Sequence, residues 1–325
     1  MRRGHSDCRG YKVNLIFRIK MAQSASGGER KSALLYHLAA FSVIAVWGTS
    51  FVSTKVLLDA GLHAVEIYIY RFLVAYLIVL AVCHKKLWSN SLVDELLFAV
   101  CGLCGGSIYF IAENTALNYT LTSNVSLLTT LSPLLTTLLI GAIYKNERPG
   151  IWIYVGSAVA ILGVGCIIFK SGFHLEVMPL GDLLALSAAF SWAIYSIVLR
   201  KVNANYTALF ITRKTFFYGL LTALPFMAFE PEIAPLSALG EPVVLLNLLF
   251  LSLTASLLAY VIWSQTVKRL GAIKASNYLY FQPVMTMIVS AIILPDDPLT
   301  LMGCVGCALI IGGVWFGDFM SRKKV

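Results

Sequence analysis

Ten apolar runs, each long enough to cross a bilayer as a helix, pattern this chain near residues 34–56, 64–83, 93–117, 122–143, 150–169, 181–200, 206–228, 243–267, 274–294 and 299–318. A hydrocarbon layer about 30 Å thick is spanned by roughly 20 helical residues. Within that layer every backbone N–H and C=O must be bonded inside the structure, which leaves helices or a closed barrel. Runs of this length make helices. They use most of the 325 residues and leave no room for a folded domain outside the membrane. Composition agrees, with 58% hydrophobic and 13% charged residues, against roughly 25% charged in soluble chains. The seven cysteines are too sparse, and odd in number, for a secreted disulfide scaffold. The formal charge of +9 is dispersed between apolar runs, so no nucleic-acid partner is expected. The expected class is an all-α integral membrane protein whose immediate partner is the lipid bilayer.

Orientation follows from the placement of Lys and Arg, which favour cytoplasmic loops. With the N-terminus inside, that side collects the basic residues of the first 31 positions, then Lys85, Lys86, Lys145, Arg148, Arg200, Lys201, Lys268, Arg269, Lys274, Arg322, Lys323 and Lys324. The far side keeps only Lys55 and Lys170, together with Asp59, Glu176, Glu230, Glu232, Glu241, Asp296 and Asp297. Both termini are therefore expected in the cytoplasm, as in a multi-pass protein of a bacterial inner membrane. Residues 1–33 are basic and hydrophilic, and their apolar stretch Val13–Phe17 is too short for a signal peptide. They read as a cytoplasmic tail, with Met21 an alternative start. A second basic tail is expected over 319–325.

The two halves of the chain repeat one another. Trp47 precedes Lys55 by eight residues, and Trp192 precedes Arg200 by eight. Arg71 in the second run matches Arg213 in the seventh, and Ser126 and Ser276 each lie seven residues before Pro133 and Pro283. Five runs per half turn the second copy upside down, the arrangement of transporters that rock two bundles about a shared site. Against that frame stand Trp47-Gly48-Thr49-Ser50-Phe51, Arg71-Phe72, Ala116-Leu117-Asn118-Tyr119-Thr120 and Ser132-Pro133-Leu134. The second half carries Gly181-Asp182-Leu183-Leu184-Ala185, Trp192-Ala193-Ile194-Tyr195, Lys268-Arg269-Leu270-Gly271-Ala272 and Gln282-Pro283-Val284. On these segments the chain resembles the EamA family of the drug/metabolite transporter superfamily, with one five-helix repeat over 34–169 and a second over 181–318. The resemblance implies ten helices and export or exchange of small metabolites. The Gly-Glu that commonly ends the proline-bearing helix of each half is here Asn146-Glu147 and Leu294-Pro295-Asp296-Asp297, so no role is carried onto those positions.

Ionisable groups inside the bilayer are costly and mark sites or structural pairs. Arg71 and Glu113 lie at matching depth near the outer ends of their helices, so a contact between them is expected, either as a gate or anchor for a zwitterionic solute or as an ion pair fastening two helices. Arg213 reads as structural, Lys214 as snorkelling to the interface, and Glu66 as sitting at the outer interface. Pro133 and Pro283 each free a carbonyl and are expected to kink their helices. Polar neighbours (Asn124, Ser126, Thr129, Thr130 and Ser132; Asn277, Tyr280 and Gln282) suit either a cavity lining or helix–helix hydrogen bonds. Trp47, Trp192, Tyr195, Trp263 and Tyr278 suit an amphipathic pocket or, near helix ends, an interfacial belt. The candidate binding and gating residues are Trp47, Ser50, Arg71, Glu113, Asn114, Asn124, Trp192, Tyr195, Gln265, Asn277 and Gln282. Gly48, Gly102, Gly105, Gly106, Gly156, Gly163, Gly165, Gly303, Gly306, Gly312 and Gly313 read as contacts between close helices.

Catalysis is not expected. The five histidines lie in tails, loops or helix ends, and neither H-E-x-x-H nor G-x-S-x-G occurs. Cys101-x-x-Cys104 and Cys304-x-x-Cys307 fall about 8 Å from opposite faces at 1.5 Å per residue, too far apart to share a metal, so no metal or other cofactor is expected. The expected function is secondary transport of a small amino-acid-like or nucleobase-like metabolite by alternating access, with Glu113 as candidate carrier if protons are coupled. A non-transporting scaffold or receptor and an intramembrane enzyme are the alternatives.

Overall fold

The structure is a computed structural model that describes residues 34–116, 118–119, 125, 128–145, 148–168, 179–228, 236–293 and 301–322. The described residues are helical, with no strand. In chain order the helices are α1 (Leu34–Asp59), α2 (Ala64–Val82), α3 (Leu92–Ala116), α4 (Ser132–Ile143), α5 (Ile151–Ile168), α6 (Pro179–Val202), α7 (Ala208–Met227), α8 (Pro242–Leu270), α9 and α10 (Leu301–Arg322). The ninth is built in pieces: Ala272–Asn277, a 3₁₀ turn Tyr278–Phe281, and Gln282–Ile293. Six of these helices (α1, α2, α3, α6, α8 and α10) are long and apolar enough to cross a membrane. Leu73, Leu77, Val82, Leu138, Leu162, Leu221 and Trp315 are exposed, a surface suited to lipid rather than water. The tail 1–33, Asn146-Glu147 and 294–300 lie outside the described residues.

Two helices widen in the middle. α3 makes a π turn at Leu103–Ser107, and α8 makes a longer one at Phe250–Leu258. A π turn withdraws carbonyls from the regular ladder, and side chains from other helices reach them here. Trp47 Nε1 in α1 donates to Ala255 O in α8 at 2.9 Å, and Ser191 Oγ in α6 donates to Cys104 O in α3 at 2.7 Å. Tyr260 Oη donates to Gly105 O. α1 thus sends a donor to the wide turn of α8, and α6 sends one to the wide turn of α3.

Pro133 and Pro283 lie in the first turn of a helical segment, whereas Pro225 lies inside α7. Pro133 occupies the first turn of α4, where a missing N–H is tolerated. The carbonyl it leaves without an amide partner, Thr129 O, accepts Ser132 Oγ at 2.5 Å. Pro283 is second in the Gln282–Ile293 segment.

α5 and α10 meet along glycines. A Cβ placed on Gly156 would lie 2.5 Å from Gly313 O, and one on Gly163 would lie 2.6 Å from Gly306 O. Gly165 and Gly312, expected to pack likewise, face open space. Gly313→Ala is accordingly expected to destabilise the fold by about 1–3 kcal/mol through overpacking. Gly165→Ala should be neutral or stabilise by up to about 1 kcal/mol by removing glycine's backbone freedom. Thermal unfolding of the two variants in detergent checks the contrast.

At the end where α2 stops, Arg213 of α7 donates to the carbonyls of Cys83, Lys86 and Leu87 in the segment that follows the helix. Lys214 does not snorkel. It is 3% exposed and pairs with both oxygens of Glu95, at 2.7 and 2.9 Å. Glu95 also accepts Tyr218 Oη at 2.7 Å and the Ser89 N–H at 2.8 Å. Glu66, placed at the interface by its sequence position, is fully buried in a capping box with His63 at the start of α2. The helix supplies amides that a first-turn carboxylate can satisfy, so burial there is tolerated.

Candidate functional site

A polar cavity of about 40 Å³ lies where α1, α3, α4, α6 and the broken α9 converge. At 10–15 Å³ per water it has room for about three waters. Its walls are Trp47, Ser50 and Phe51 from α1; Tyr109, Phe110 and Glu113 from α3; Thr129, Thr130 and Ser132 at the start of α4; Trp192 from α6; and Leu279 and Gln282 from α9. The broken helices suit this place, since α4 and the second piece of α9 both begin here instead of presenting a continuous apolar rod.

The floor is aromatic. Trp47 meets Trp192 edge-on at 5.3 Å between ring centres and Trp263 at 5.2 Å, and Tyr109 lies 5.0 Å from Trp192. Tyr260 closes the cluster behind, 6.0 Å from Trp47. The Trp47 indole is fixed by its bond to Ala255 O, whereas the Trp192 Nε1 is buried without an acceptor. A buried indole N–H without a partner is a costly omission, and here it belongs to a ring on the cavity wall.

Glu113 is 5% exposed and accepts Tyr109 Oη at 3.0 Å. Tyr109 stands one turn before it on the same face of α3, the i,i+4 relation that brings helical side chains together. Arg71 and Glu113 are not the ion pair their depth suggested. Arg71 Nε donates instead to Ser256 Oγ at 2.9 Å, and its guanidinium carbon lies 4.7 Å from the centre of the Phe110 ring. Phe110 therefore stands between the cavity and Arg71.

The candidates divide. Trp47, Ser50, Glu113, Trp192 and Gln282 line the cavity, with Arg71 behind its wall. Tyr195 packs beneath Trp192 at 5.0 Å and fills the space over Gly105. Asn114 ties α3 to α2 through a 3.4 Å bond to Ala64 O. Gln265 is exposed, on the side of α8 opposite the buried Trp263 and Val267, because a position two residues away points to another face. Asn277 and Tyr278 line a separate cavity of about 280 Å³ with His37 and Lys274, where His37 Nδ1 and Tyr278 Oη are 2.6 Å apart. Asn124 lies outside the described residues. Phe51, Tyr109, Phe110 and Leu279 were not singled out from the sequence. Tyr109 carried a usable signal in its spacing from Glu113, but Phe51, Phe110 and Leu279 look like any other apolar residue of a span.

Six helices long and apolar enough to cross a membrane, with a small cavity between the helices, fit a multi-pass membrane protein. The sequence profile of the EamA-like transporter family matches residues 34–169 and 179–316. The chain belongs to that family. It is 27% identical over 295 residues to a probable amino-acid metabolite efflux pump of Escherichia coli (strain K12), covering 88% of this chain and 95% of the relative. It is 29% identical over 276 residues to a probable terminal-alkyne amino-acid exporter of Streptantibioticus cattleyicolor, covering 83% and 89%. An uncharacterised transporter of Archaeoglobus fulgidus is 26% identical over 284 residues. One solved structure shares the fold with a TM-score of 0.70 at 19% identity, covering 89% of this chain and 98% of the other.

Proposed function

We propose that this protein is a secondary transporter of a small amino-acid-like solute carrying an ammonium group, working by alternating access between two inverted five-helix halves. The observation that carries the reading is a buried carboxylate, Glu113, on a cavity wall that also carries the aromatic side chains of Trp47, Phe51, Tyr109, Phe110 and Trp192. A carboxylate supplies the counter-charge for an ammonium, and aromatic faces add cation–π attraction and shelter an apolar side chain. The unpartnered Trp192 indole offers a donor for a carbonyl or carboxylate oxygen. Relatives named as amino-acid exporters favour this class over a nucleobase.

Three of the contributing helices precede residue 169 and two follow residue 179, so rocking of one half against the other would open the cavity to alternate sides. The reciprocal bonds from α1 and α6 to the two wide turns support the inverted relation. The basic residues of the loops support a cytoplasmic location for both termini.

Reconstitution tests the proposal. Proteoliposomes loaded with an unlabelled amino acid should exchange it for labelled amino acid from outside, and Trp192→Ala should reduce that exchange at least tenfold. Single cysteines at Ser50 and Tyr278 should react with an impermeant thiol reagent from opposite sides, with reactivities that shift in opposite directions when substrate is added. Equal exposure of both positions from one side, unaffected by substrate, would remove alternating access.

A further inference from the structure

Behind one wall of the cavity lies a cation that the protein leaves partly unsatisfied. Arg71 is 2% exposed, and while its Nε is bonded to Ser256, its Nη2 is buried with no hydrogen-bond acceptor. Tyr68 Oη, one helical turn earlier, is buried without a partner as well. Glu113 accepts its hydrogen bond from Tyr109 Oη and not from Arg71. What separates the guanidinium from the cavity is the Phe110 ring, which lines the cavity and stacks against Arg71 at 4.7 Å. Donors left open in a water-poor interior are costly, and a carboxylate is the natural partner of a guanidinium.

We propose that Arg71 is the carboxylate-binding half of the transport site, screened by Phe110 in this form and uncovered when that ring turns aside. A zwitterionic solute would then bridge Glu113 through its ammonium and Arg71 through its carboxylate. The present cavity of about 40 Å³, with room for about three waters, is too small for an amino acid, so a wall must move on binding, and Phe110 is the wall shared with Arg71. The inference rests on the cavity being the transport site.

The test uses paired probes in proteoliposomes: L-phenylalanine with 2-phenylethylamine, L-leucine with 3-methylbutylamine, and L-lysine with cadaverine, each amine lacking only the carboxylate. The wild-type protein should prefer the amino acid of at least one pair by tenfold or more. Arg71→Gln should erase that preference while amine uptake persists. Phe110→Ala should keep the preference and lower the half-saturation concentration of the amino acid severalfold. Equal uptake within every pair, or a preference that survives Arg71→Gln, overturns the carboxylate subsite and leaves the cavity standing if Glu113→Gln still abolishes uptake of both members. Failure to move any probe removes the cavity reading and this inference with it. If Arg71→Gln does not fold, Phe110→Ala decides, since an unchanged half-saturation overturns the screen.

Discussion

Glu113→Gln is expected to lower uptake driven by an imposed proton gradient at least tenfold and to flatten its dependence on pH. Glu113 lines the cavity, is 5% exposed, and has one described hydrogen bond, from Tyr109. An ionised carboxylate at that depth must be neutralised by something before the halves can pass it through the membrane interior. A proton and a solute ammonium can each do so, and a single carboxylate serves only one at a time. Such mutual exclusion would couple the two fluxes, protons binding from the side on which solute is released. Glutamine keeps the shape and can still accept from Tyr109, yet binds no proton and offers no full charge to an ammonium. Fluorescence of a pH dye trapped in the proteoliposomes reads the proton flux, and a labelled solute reads the other. Wild-type uptake by Glu113→Gln at every pH would remove Glu113 from this role.

Lys214→Met should cost about 3–5 kcal/mol of stability, because it leaves the Glu95 carboxylate without its cation. The two side chains are 4% and 12% exposed, respectively, so water replaces little of the lost interaction. The effect should not be additive. In Lys214→Met/Glu95→Gln the orphaned charge is gone, the glutamine oxygen can still accept from the Ser89 amide, and Tyr218 Oη can accept from the glutamine NH2 in place of donating, so most of the loss should return. The Glu95→Gln change alone should fall between them. A double-mutant cycle on thermal midpoints in detergent isolates the pair. Equal destabilisation in the single Lys214 variant and the double variant would show that Lys214 contributes through packing, against Trp88 and Tyr218 among others, and not through charge.

The helices were legible because hydrocarbon admits few alternatives, and a long apolar run becomes a helix whatever surrounds it. Half of the candidate site was legible for a related reason. A tryptophan at mid-span cannot be assigned to an interface, and a carboxylate inside a span is costly, so Trp47, Trp192 and Glu113 stand out in the sequence. Gln265 shows the limit of that logic. Its polarity and depth matched a site residue, but the facing of a side chain depends on rotation about the axis of α8, which the π turn at Phe250–Leu258 alters just before it. The pairing of Lys214 with Glu95 joins residues far apart in sequence, and no local pattern announces it. Arg71 was found, yet not its relation to the cavity, because Phe110 between them looks in the sequence like one more apolar residue of α3.

The wide turn at Leu103–Ser107 precedes Tyr109, Phe110 and Glu113 on the same helix. At 3.6 residues per turn, each residue added to or dropped from a helix rotates everything beyond it by about 100°. Loss of one codon within Leu103–Ser107, restoring an unbroken α-helical ladder, would thus swing carboxylate and aromatic wall together off the solute path and bring a different set of side chains round. Descendants of this gene could exchange one recognition surface for another through a single in-frame deletion, with no substitution at any contacting residue.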